Sequence, residues 1–363
     1  MKVGILGGGQ LGRMLALAGY PLGLSFRFLD PAPGPPVEGL AELVSAGWED
    51  QAALEAFVRG LDVVTYEFEN VPAEAAAWLG QRAPVHPAIE ALRVAQDRLA
   101  EKQTFQALGI HTNPFHAVDS RRSLDVGVAR LGLPAVLKTR RGGYDGKGQM
   151  VLRSPADLEA AWQALGGVPL LLEGFVPFTR EVSQVAVRGL NGDIRCYPLV
   201  ENHHAEGILR LTIAPAADVS AAVRAQAEEA VRRLMEHFGY VGVLALELFQ
   251  VGDELLANEM APRVHNSGHW TIEGARTSQF ENHLRAITGW PLGVTEAVGH
   301  SAMVNLIGTV PEEPRVLAIP GAHLHLYGKP PRPGRKLGHV TLWADTPQER
   351  DERLARLRQV LSE

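Results

Sequence analysis

Residues 138–148 read Lys-Thr-Arg-Arg-Gly-Gly-Tyr-Asp-Gly-Lys-Gly. A short apolar run, Ala135 to Leu137, enters this stretch, and Gln149 to Leu152 leaves it. Two strands joined by a glycine-rich loop account for that pattern. Gly142, Gly143, Gly146 and Gly148 let backbone N–H groups close on a ligand. Lys138, Arg140, Arg141 and Lys147 add four positive charges. Backbone donors beside fixed cations are what a polyphosphate needs. A surface hairpin with solvated charges is the alternative, although strands alone do not need so many glycines. The G-x-x-x-x-G-K-[ST] spacing is absent, so this is not a Walker loop.

The 363 residues allow two or three domains with sizeable cores. The formal net charge is -6 and no basic tract occurs, which argues against a nucleic-acid partner. Cys196 is the single cysteine, so neither an intramolecular disulfide nor a thiolate metal cluster is available. No apolar run reaches the ~18 residues of a membrane helix. The start runs straight into a strand without a cleavage region, and the expectation is a soluble, cytoplasmic protein. Only six of the 35 basic residues are Lys: Lys2, Lys102, Lys138, Lys147, Lys329 and Lys336. In a chain that otherwise uses Arg, a lysine is less easily read as generic surface charge.

Lys2 to Leu6 predicts a buried strand, and Gly7-Gly8-Gly9-Gln10-Leu11-Gly12 then opens a helix. This matches G-x-G-x-x-G, and the next strand ends at Asp30, near where a ribose-binding acid would sit. An NAD-type enzyme is therefore one reading. The motif also serves wherever a parallel strand meets a helix around a phosphate. Strands and helices alternate to about residue 90, which predicts a parallel sheet. Glu67 to Asn70 falls at a strand's carboxyl end, where such sheets hold ligands. Helices are expected over 88–94, 98–108 and 120–131, with Asp97 as a cap for the second. Ser154-Pro155-Ala156-Asp157 predicts another helix start. From Glu181 the pattern changes to strands, over 182–188 and 194–200 around Asn191-Gly192, followed by a long helix over 218–237.

Strands over 240–250 and 255–260 carry Glu247 and Glu259. A three-residue loop, Gly252 to Glu254, would set these two carboxylates opposite each other on one face; a two-residue loop would separate them. Facing carboxylates repel unless a cation lies between them, which predicts Mg²⁺. The alternative is a pair of solvated edge carboxylates. Residues 261–270 (Ala-Pro-Arg-Val-His-Asn-Ser-Gly-His-Trp) gather groups suited to an anion or sugar. Lys329, Arg332, Arg335 and Lys336 lie on a proline-stiffened loop that reads as a phosphate clamp or a plain surface turn. Strands over 302–307, 322–327 and 337–343 and a helix from Pro347 complete the chain.

Taken together, these stretches resemble the ATP-grasp superfamily and, within it, the N5-carboxyaminoimidazole ribonucleotide synthetase family of purine biosynthesis. The resemblance rests on 7–14, 65–71, 141–148, 261–270 and 333–339, in the family's order along the whole chain. It implies an α/β and α+β ATP-grasp architecture. A Rossmann-like N-terminal domain would span 1–95, linker helices and a central lid 96–178, the core with the metal site 179–300, and a β-rich C-terminal domain 301–363. It implies ATP-dependent joining of bicarbonate to the amine of 5-aminoimidazole ribonucleotide (AIR), with Mg²⁺ or Mn²⁺, in a homodimer.

By the same resemblance, Arg98 and Lys138 would contact the nucleotide. Gly143, Tyr144, Asp145, Gly146, Lys147, Gly148 and Gln149 would close over its phosphates. Glu173, Gly174, Phe175 and Val176 would meet adenine, Glu181 the ribose, and His204 and Asn258 the nearby nucleotide. Glu247 and Glu259 would hold the metal. Gln10, Glu69, Tyr144, Asp145, Arg263, His265, Asn266, Lys329, Arg335 and Lys336 would surround AIR. Asp145 would orient the amine or take its proton, Lys336 would hold a carboxylate or phosphate, and Lys138 would offset charge developing at the phosphate. A formate-dependent glycinamide ribonucleotide transformylase is the nearest rival, sharing fold and carboxylates. A dehydrogenase and a non-catalytic nucleotide sensor are the rivals of other classes.

Overall fold

The computed structural model describes residues 1–143 and 146–362. Three sheets organise it. The first is parallel, in the order β3-β2-β1-β4, from β1 (Lys2–Leu6), β2 (Ser25–Asp30), β3 (Glu42–Ser45) and β4 (Val63–Tyr66). Helices α1 (Gln10–Gly19), α2 (Gln51–Val58) and α3 (Ala73–Gly80) accompany it. The Asp50 carboxylate caps α2 by accepting from the Ala53 N–H. The short α4 (Ile89–Ala95) and α5 (Arg98–Ala107) lead away, and Asp97 caps α5 through Leu99 N–H as expected.

The second sheet is antiparallel, in the order β5-β8-β6-β7. It contains β5 (Phe115–Val118), β6 (Ala135–Thr139), β7 (Gln149–Leu152) and β8 (Leu170–Gly174), backed by α6 (Arg121–Leu131) and α7 (Asp157–Leu165). The glycine loop joins β6 to β7, as the sequence pattern requires. Helix α7 starts later than expected. Asp157 accepts from the Arg153 and Ser154 N–H groups, so Ser154 to Ala156 turn back onto it rather than entering the helix.

The third sheet has nine strands. Eight run in the order β14-β13-β9-β11-β12-β15-β17-β16, and β10 pairs with β9. They are β9 (Arg180–Arg188), β10 (Ile194–Cys196), β11 (Val200–Ala205), β12 (Ile208–Ala214), β13 (Gly242–Val251), β14 (Glu254–Ala261), β15 (His300–Ile307), β16 (Ala322–Leu326) and β17 (Lys336–Ala344). Helices α8 (Ala221–His237), α9 (Thr271–Gly274), α10 (Gln279–Ile287), α11 (Glu313–Leu317) and α12 (Pro347–Ser362) complete the fold. The strand expected over 194–200 is broken at Pro198, which has no N–H to give to a ladder. The β11–β12 hairpin was hidden because its turn is Glu206-Gly207. Both residues have positive φ, 55° and 74°, and Glu is an unusual choice there.

Between β13 and β14 the expected outcome is reached by a different route. Val251 pairs with Glu254, so the turn has two residues, Gly252 and Asp253. Continued regularly, that register would set Glu247 against Asn258. A β-bulge intervenes: Leu248 pairs with Ala257, Glu247 with Glu259, and Asn258 is the extra residue. The bulge restores the parity that a three-residue loop would have supplied.

The first and third sheets share one apolar core, in which Val3, Ile5, Leu15 and Phe28 join Val185, Val243, Phe280 and Leu284. A buried histidine pins them together. His283 Nδ1 accepts from Val243 N–H at 3.1 Å, which leaves its Nε2 proton for Thr65 Oγ1 at 2.9 Å. Burial pushes the His283 pKa down to about 3, so the ring stays neutral in this role. No helix among the described residues is long and apolar enough to cross a membrane.

Candidate active site

A cleft of about 980 Å³ lies where the three sheets converge. The N-terminal glycine loop, the β6–β7 loop, the β13–β14 ladder, residues 261–266 and the loop 329–336 all open into it.

The N-terminal loop is not free to hold a pyrophosphate. Glu67 accepts from the N–H groups of Gly9, Leu11 and Gly12 at 2.8, 3.1 and 3.1 Å, and Asp30 accepts from Gly8 N–H at 2.5 Å. These donors at the start of α1 are the ones a dinucleotide would use. The chain fills that anion hole with its own carboxylates, which removes the structural basis of the dehydrogenase reading. Gly9 is required there, because a Cβ would stand 2.5 Å from Glu67 Oε1.

The nucleotide candidates fall into two groups. Arg98, Lys138, Gly143, Gly146, Lys147, Gln149, Phe175, Glu181, His204, Asn258 and Glu259 all reach the cleft. Arg98 Nη1 donates to Glu259 Oε2 at 2.7 Å and its Nη2 to Gly143 O at 3.4 Å, linking the carboxylate pair to the glycine loop. His204 Nδ1 lies 2.7 Å from Glu181 Oε2. Burial lowers the His204 pKa, but Glu181 and Glu247 more than offset it and the net shift is upward. Phe178 stacks on Phe249 at 4.7 Å, and with Val136, Val151 and Phe175 they form an apolar wall suited to a planar base.

Gly148, Glu173, Gly174 and Val176 are not part of the cleft lining. Gly148 closes the β6–β7 hairpin, its carbonyl accepting from Thr139 N–H. The Gly174 and Phe175 N–H groups donate to Pro114 O and Pro134 O, so neither is left to meet an adenine edge. The Glu173 side chain is buried behind the cleft, 2.7 Å from Lys138 Nζ. Tyr144 and Asp145 lie outside the described residues.

The carboxylate pair stands as the register dictates. Burial and the charge of Glu259 push the Glu247 pKa up, while Arg98, against the effect of burial, holds Glu259 down. Asn258 Oδ1, on the bulge beside them, is buried with no hydrogen-bond partner among the described residues. Two mutually repelling carboxylates and an orphaned amide oxygen form an oxygen-only donor set that fits a hard cation. No group of three His, Cys, Asp or Glu is placed for a metal among the described residues.

The substrate-side candidates meet in the same cleft. Gln10, Glu69, Arg263, His265, Asn266, Lys329, Arg335 and Lys336 all line the cleft. Arg263 pairs with Glu69, and Lys329 bonds Gln10. His265 Nδ1 accepts from Ser267 N–H at 3.3 Å, so the ring proton sits on Nε2, 3.2 Å from Glu247 Oε1. Burial, with Arg263 nearby, pushes the His265 pKa down to about 3. Asn266 and Asn305 exchange amide hydrogen bonds at 3.0 and 2.6 Å, and Asn305 Nδ2 also donates to Leu209 O at 2.9 Å, which fixes both orientations.

The ATP-grasp domain family matches residues 103–280, the ribonucleotide synthetase preATP-grasp domain 1–96, and the phosphoribosylaminoimidazole carboxylase C-terminal domain 301–353. The N5-carboxyaminoimidazole ribonucleotide synthase of Pseudomonas aeruginosa is 57% identical over 342 residues, 94% of each chain. The chain belongs to the N5-carboxyaminoimidazole ribonucleotide synthase family. The enzyme of that name from Vibrio cholerae is 42% identical, over 100% of this chain and 96% of its own. The crystal structure of the Thermus thermophilus synthetase superposes with a TM-score of 0.96 at 60% identity, covering 99% of each chain. The Aspergillus clavatus synthase in complex with ADP and AIR gives 0.93 at 32% identity, covering 99% of this chain and 98% of that one.

In this synthase fold, sequence reading missed Glu101, and it named Arg140 only among the loop's cations and Lys102 only among the rare lysines. Glu101 lines the cleft and accepts from Met260 N–H at 2.7 Å. Arg140 forks onto Asp97 at 2.9 and 2.6 Å. Lys102 is fully buried, with Nζ bonded to Thr112 Oγ1, Asn113 Oδ1 and Ala257 O at 2.9, 2.6 and 3.0 Å. Its rarity as a lysine was the available signal.

Proposed function

We propose that the chain joins bicarbonate to the amine of AIR while hydrolysing ATP to ADP and phosphate, a ligase step of purine biosynthesis. One observation carries the reading. The carboxylate pair with Asn258, the Lys138 loop, Arg263 with His265 and Asn266, and the cations of 329–336 all face a single cleft.

The chemistry follows from charge. Bicarbonate is a poor electrophile, so its hydroxyl oxygen must become a leaving group. Attack of a bicarbonate oxygen on the γ-phosphorus, with ADP departing, gives carboxyphosphate. Lys138 and the glycine-loop N–H groups offset the negative charge that develops. Glu247, Glu259 and Asn258 Oδ1 would hold Mg²⁺, which when bound neutralises phosphate charge and polarises the transferred group. Carboxyphosphate, or CO₂ released from it, then meets the AIR amine. The new N–C bond gives a carbamate, phosphate leaves, and the amine loses a proton. Carboxyphosphate hydrolyses readily, so the loop 140–149 acts as a lid against water.

Arg263, held by Glu69, together with Lys329, Arg335 and Lys336, supplies the substrate's phosphate and carboxylate contacts. Tyr144 and Asp145 keep their AIR roles on the resemblance alone, with Asp145 orienting or deprotonating the amine. The domain boundaries are taken at 95, 178 and 300. A cytoplasmic homodimer completes the proposal, both points from the resemblance.

The test is ADP release with AIR and bicarbonate each omitted in turn, alongside incorporation of radiolabelled bicarbonate into an acid-labile, AIR-dependent product. Incorporation of formate into glycinamide ribonucleotide, with none of bicarbonate into AIR, would refute the assignment and leave the fold untouched.

A further inference from the structure

Behind the cleft lies a buried charge cluster that the mechanism above uses only in part. Glu173, on β8, is 2% exposed. Its Oε2 accepts from Lys138 Nζ at 2.7 Å and from Asn113 Nδ2 at 3.1 Å. Its Oε1 has no hydrogen-bond partner among the described residues and lies 3.7 Å from Lys102 Nζ. The two lysines are not equivalent. Lys102 is 1% exposed and commits three donors to Thr112, Asn113 and Ala257, which fixes its ammonium between α5, the segment before β5 and β14. Lys138 is 9% exposed and reaches the cleft.

A buried carboxylate carries one charge, and two ammoniums share it. With Glu173 and Lys138 alone, the buried pair would be neutral overall. A phosphate arriving in the cleft would then have to compete with Glu173 for the lysine. A second, immobile ammonium changes the sum: the triad carries one net positive charge, and the lysine able to present it is the one facing the cleft. Burial pushes the Lys102 pKa down while the Glu173 carboxylate opposes that shift, and three acceptors around Nζ are the set an ammonium's three N–H groups would use. We propose that Lys102 is a positioning residue that neutralises Glu173 from behind, so that Lys138 meets the nucleotide phosphates as an uncompensated cation. The inference rests on the reading of the cleft as an ATP site.

Equilibrium binding of ADP with Mg²⁺, measured calorimetrically, tests it without depending on turnover or on AIR. The variants are Lys102→Met, Glu173→Gln and the double variant, each checked by thermal unfolding. Lys102→Met leaves Glu173 to neutralise Lys138 and is expected to weaken ADP binding by ~10-fold to 150-fold, the worth of a charge-assisted phosphate contact. Adding Glu173→Gln removes the competing carboxylate, and the double variant is expected to recover most of that loss. A purely structural Lys102 would give no such recovery, since the second substitution removes further hydrogen bonds. ADP binding by Lys102→Met equal to wild type, or a double variant no tighter than Lys102→Met, would overturn the inference. Glu173→Gln alone supplies a measurement that does not need Lys102→Met to fold. It is expected to bind ADP at least as tightly as wild type, and weaker binding would count against the charge-balance argument. Wild-type protein that binds no ADP would overturn the functional reading itself, and this inference with it.

Discussion

Replacing Glu67 tests the anion hole at the start of α1. Its carboxylate accepts three backbone N–H bonds, at 2.8, 3.1 and 3.1 Å, and is nearly buried. Hydrogen bonds to a charged acceptor are worth ~1.5–3 kcal/mol each, so simple addition would give ~4.5–9 kcal/mol. Two effects reduce this. Burial pushes the Glu67 pKa up, so the carboxylate gives back part of its gain as desolvation. Water can also enter from the cleft and re-bond the exposed amides once the side chain is gone. The expected loss for Glu67→Ala is then ~2–4 kcal/mol, above the ordinary worth of a helix cap. Glu67→Gln has nearly the same volume but turns an NH₂ group toward amide donors, so it should lose most of the same stability. Urea unfolding of the three proteins gives the values. Acetate should restore the alanine variant, by ~1.4 kcal/mol at tenfold its dissociation constant, and leave wild type unchanged. A glutamine variant within ~0.5 kcal/mol of wild type, with no acetate effect on the alanine variant, would refute the claim that this loop is built around an internal anion.

Glu259→Ala removes half of the carboxylate pair and strands Arg98; turnover should fall by ~30-fold to several thousand-fold, matching ~2–5 kcal/mol, in an ADP-release assay at saturating Mg²⁺. Gly148→Ala forces a side chain into φ +71° with its Cβ 2.6 Å from Thr139 Oγ1. The resulting ~1–2 kcal/mol strain on the lid hairpin should weaken nucleotide binding by roughly 5-fold to 30-fold, read by ADP titration. For pH, Glu173 is held down to about 2, against burial, chiefly by Lys138 and Lys102, from an ordinary value of 4.5. A depressed pKa stabilises the fold above the unfolded value and loses that contribution as pH falls toward the folded one. The stability gap between wild type and Glu173→Gln should therefore be constant above pH ~5 and shrink by ~1.4 kcal/mol per unit below pH ~4. Urea midpoints between pH 6 and 3.5 check this, and a gap that widens toward acid would contradict it.

What was legible in the sequence was mostly local chemistry. The capping residues Asp50 and Asp97 each bond a backbone N–H of the helix they precede, whereas the helix expected from 218 starts at Ala221 with Ser220 as its cap. The glycine loop and its two strands were readable for the same reason: turn residues and β-formers announce themselves within about ten positions. The omissions are elements whose local signal is weak. Strands β3 and β5 have four residues each. The β11 strand reads Val-Glu-Asn-His-His-Ala, a polar sequence that is a strand because its neighbours β9 and β12 make it one.

The site divides along a similar line, between groups that face a ligand and groups that face each other. Arg263, His265, Lys329 and Lys336 could be picked out because clustered cations and imidazoles near proline and glycine have few structural uses. The roles of Glu67 and Glu101 could not, because they are defined by partners 55 to 159 positions away in the chain, and Lys102 stood out only by its rarity, since its setting depends in part on Ala257, 155 positions on. The carboxylate pair lies between these cases. Glu247 and Glu259 were legible as candidates, yet their facing arrangement depends on parity, and parity in a hairpin is the sum of turn length and bulges. A two-residue turn with one bulge and a three-residue turn with none place the same residues opposite each other. The bulge adds something the longer turn would not: it leaves Asn258 out of the regular pairing, with its amide oxygen buried beside both carboxylates and unbonded among the described residues. In the proposed function that oxygen would serve as a third ligand to a hard cation.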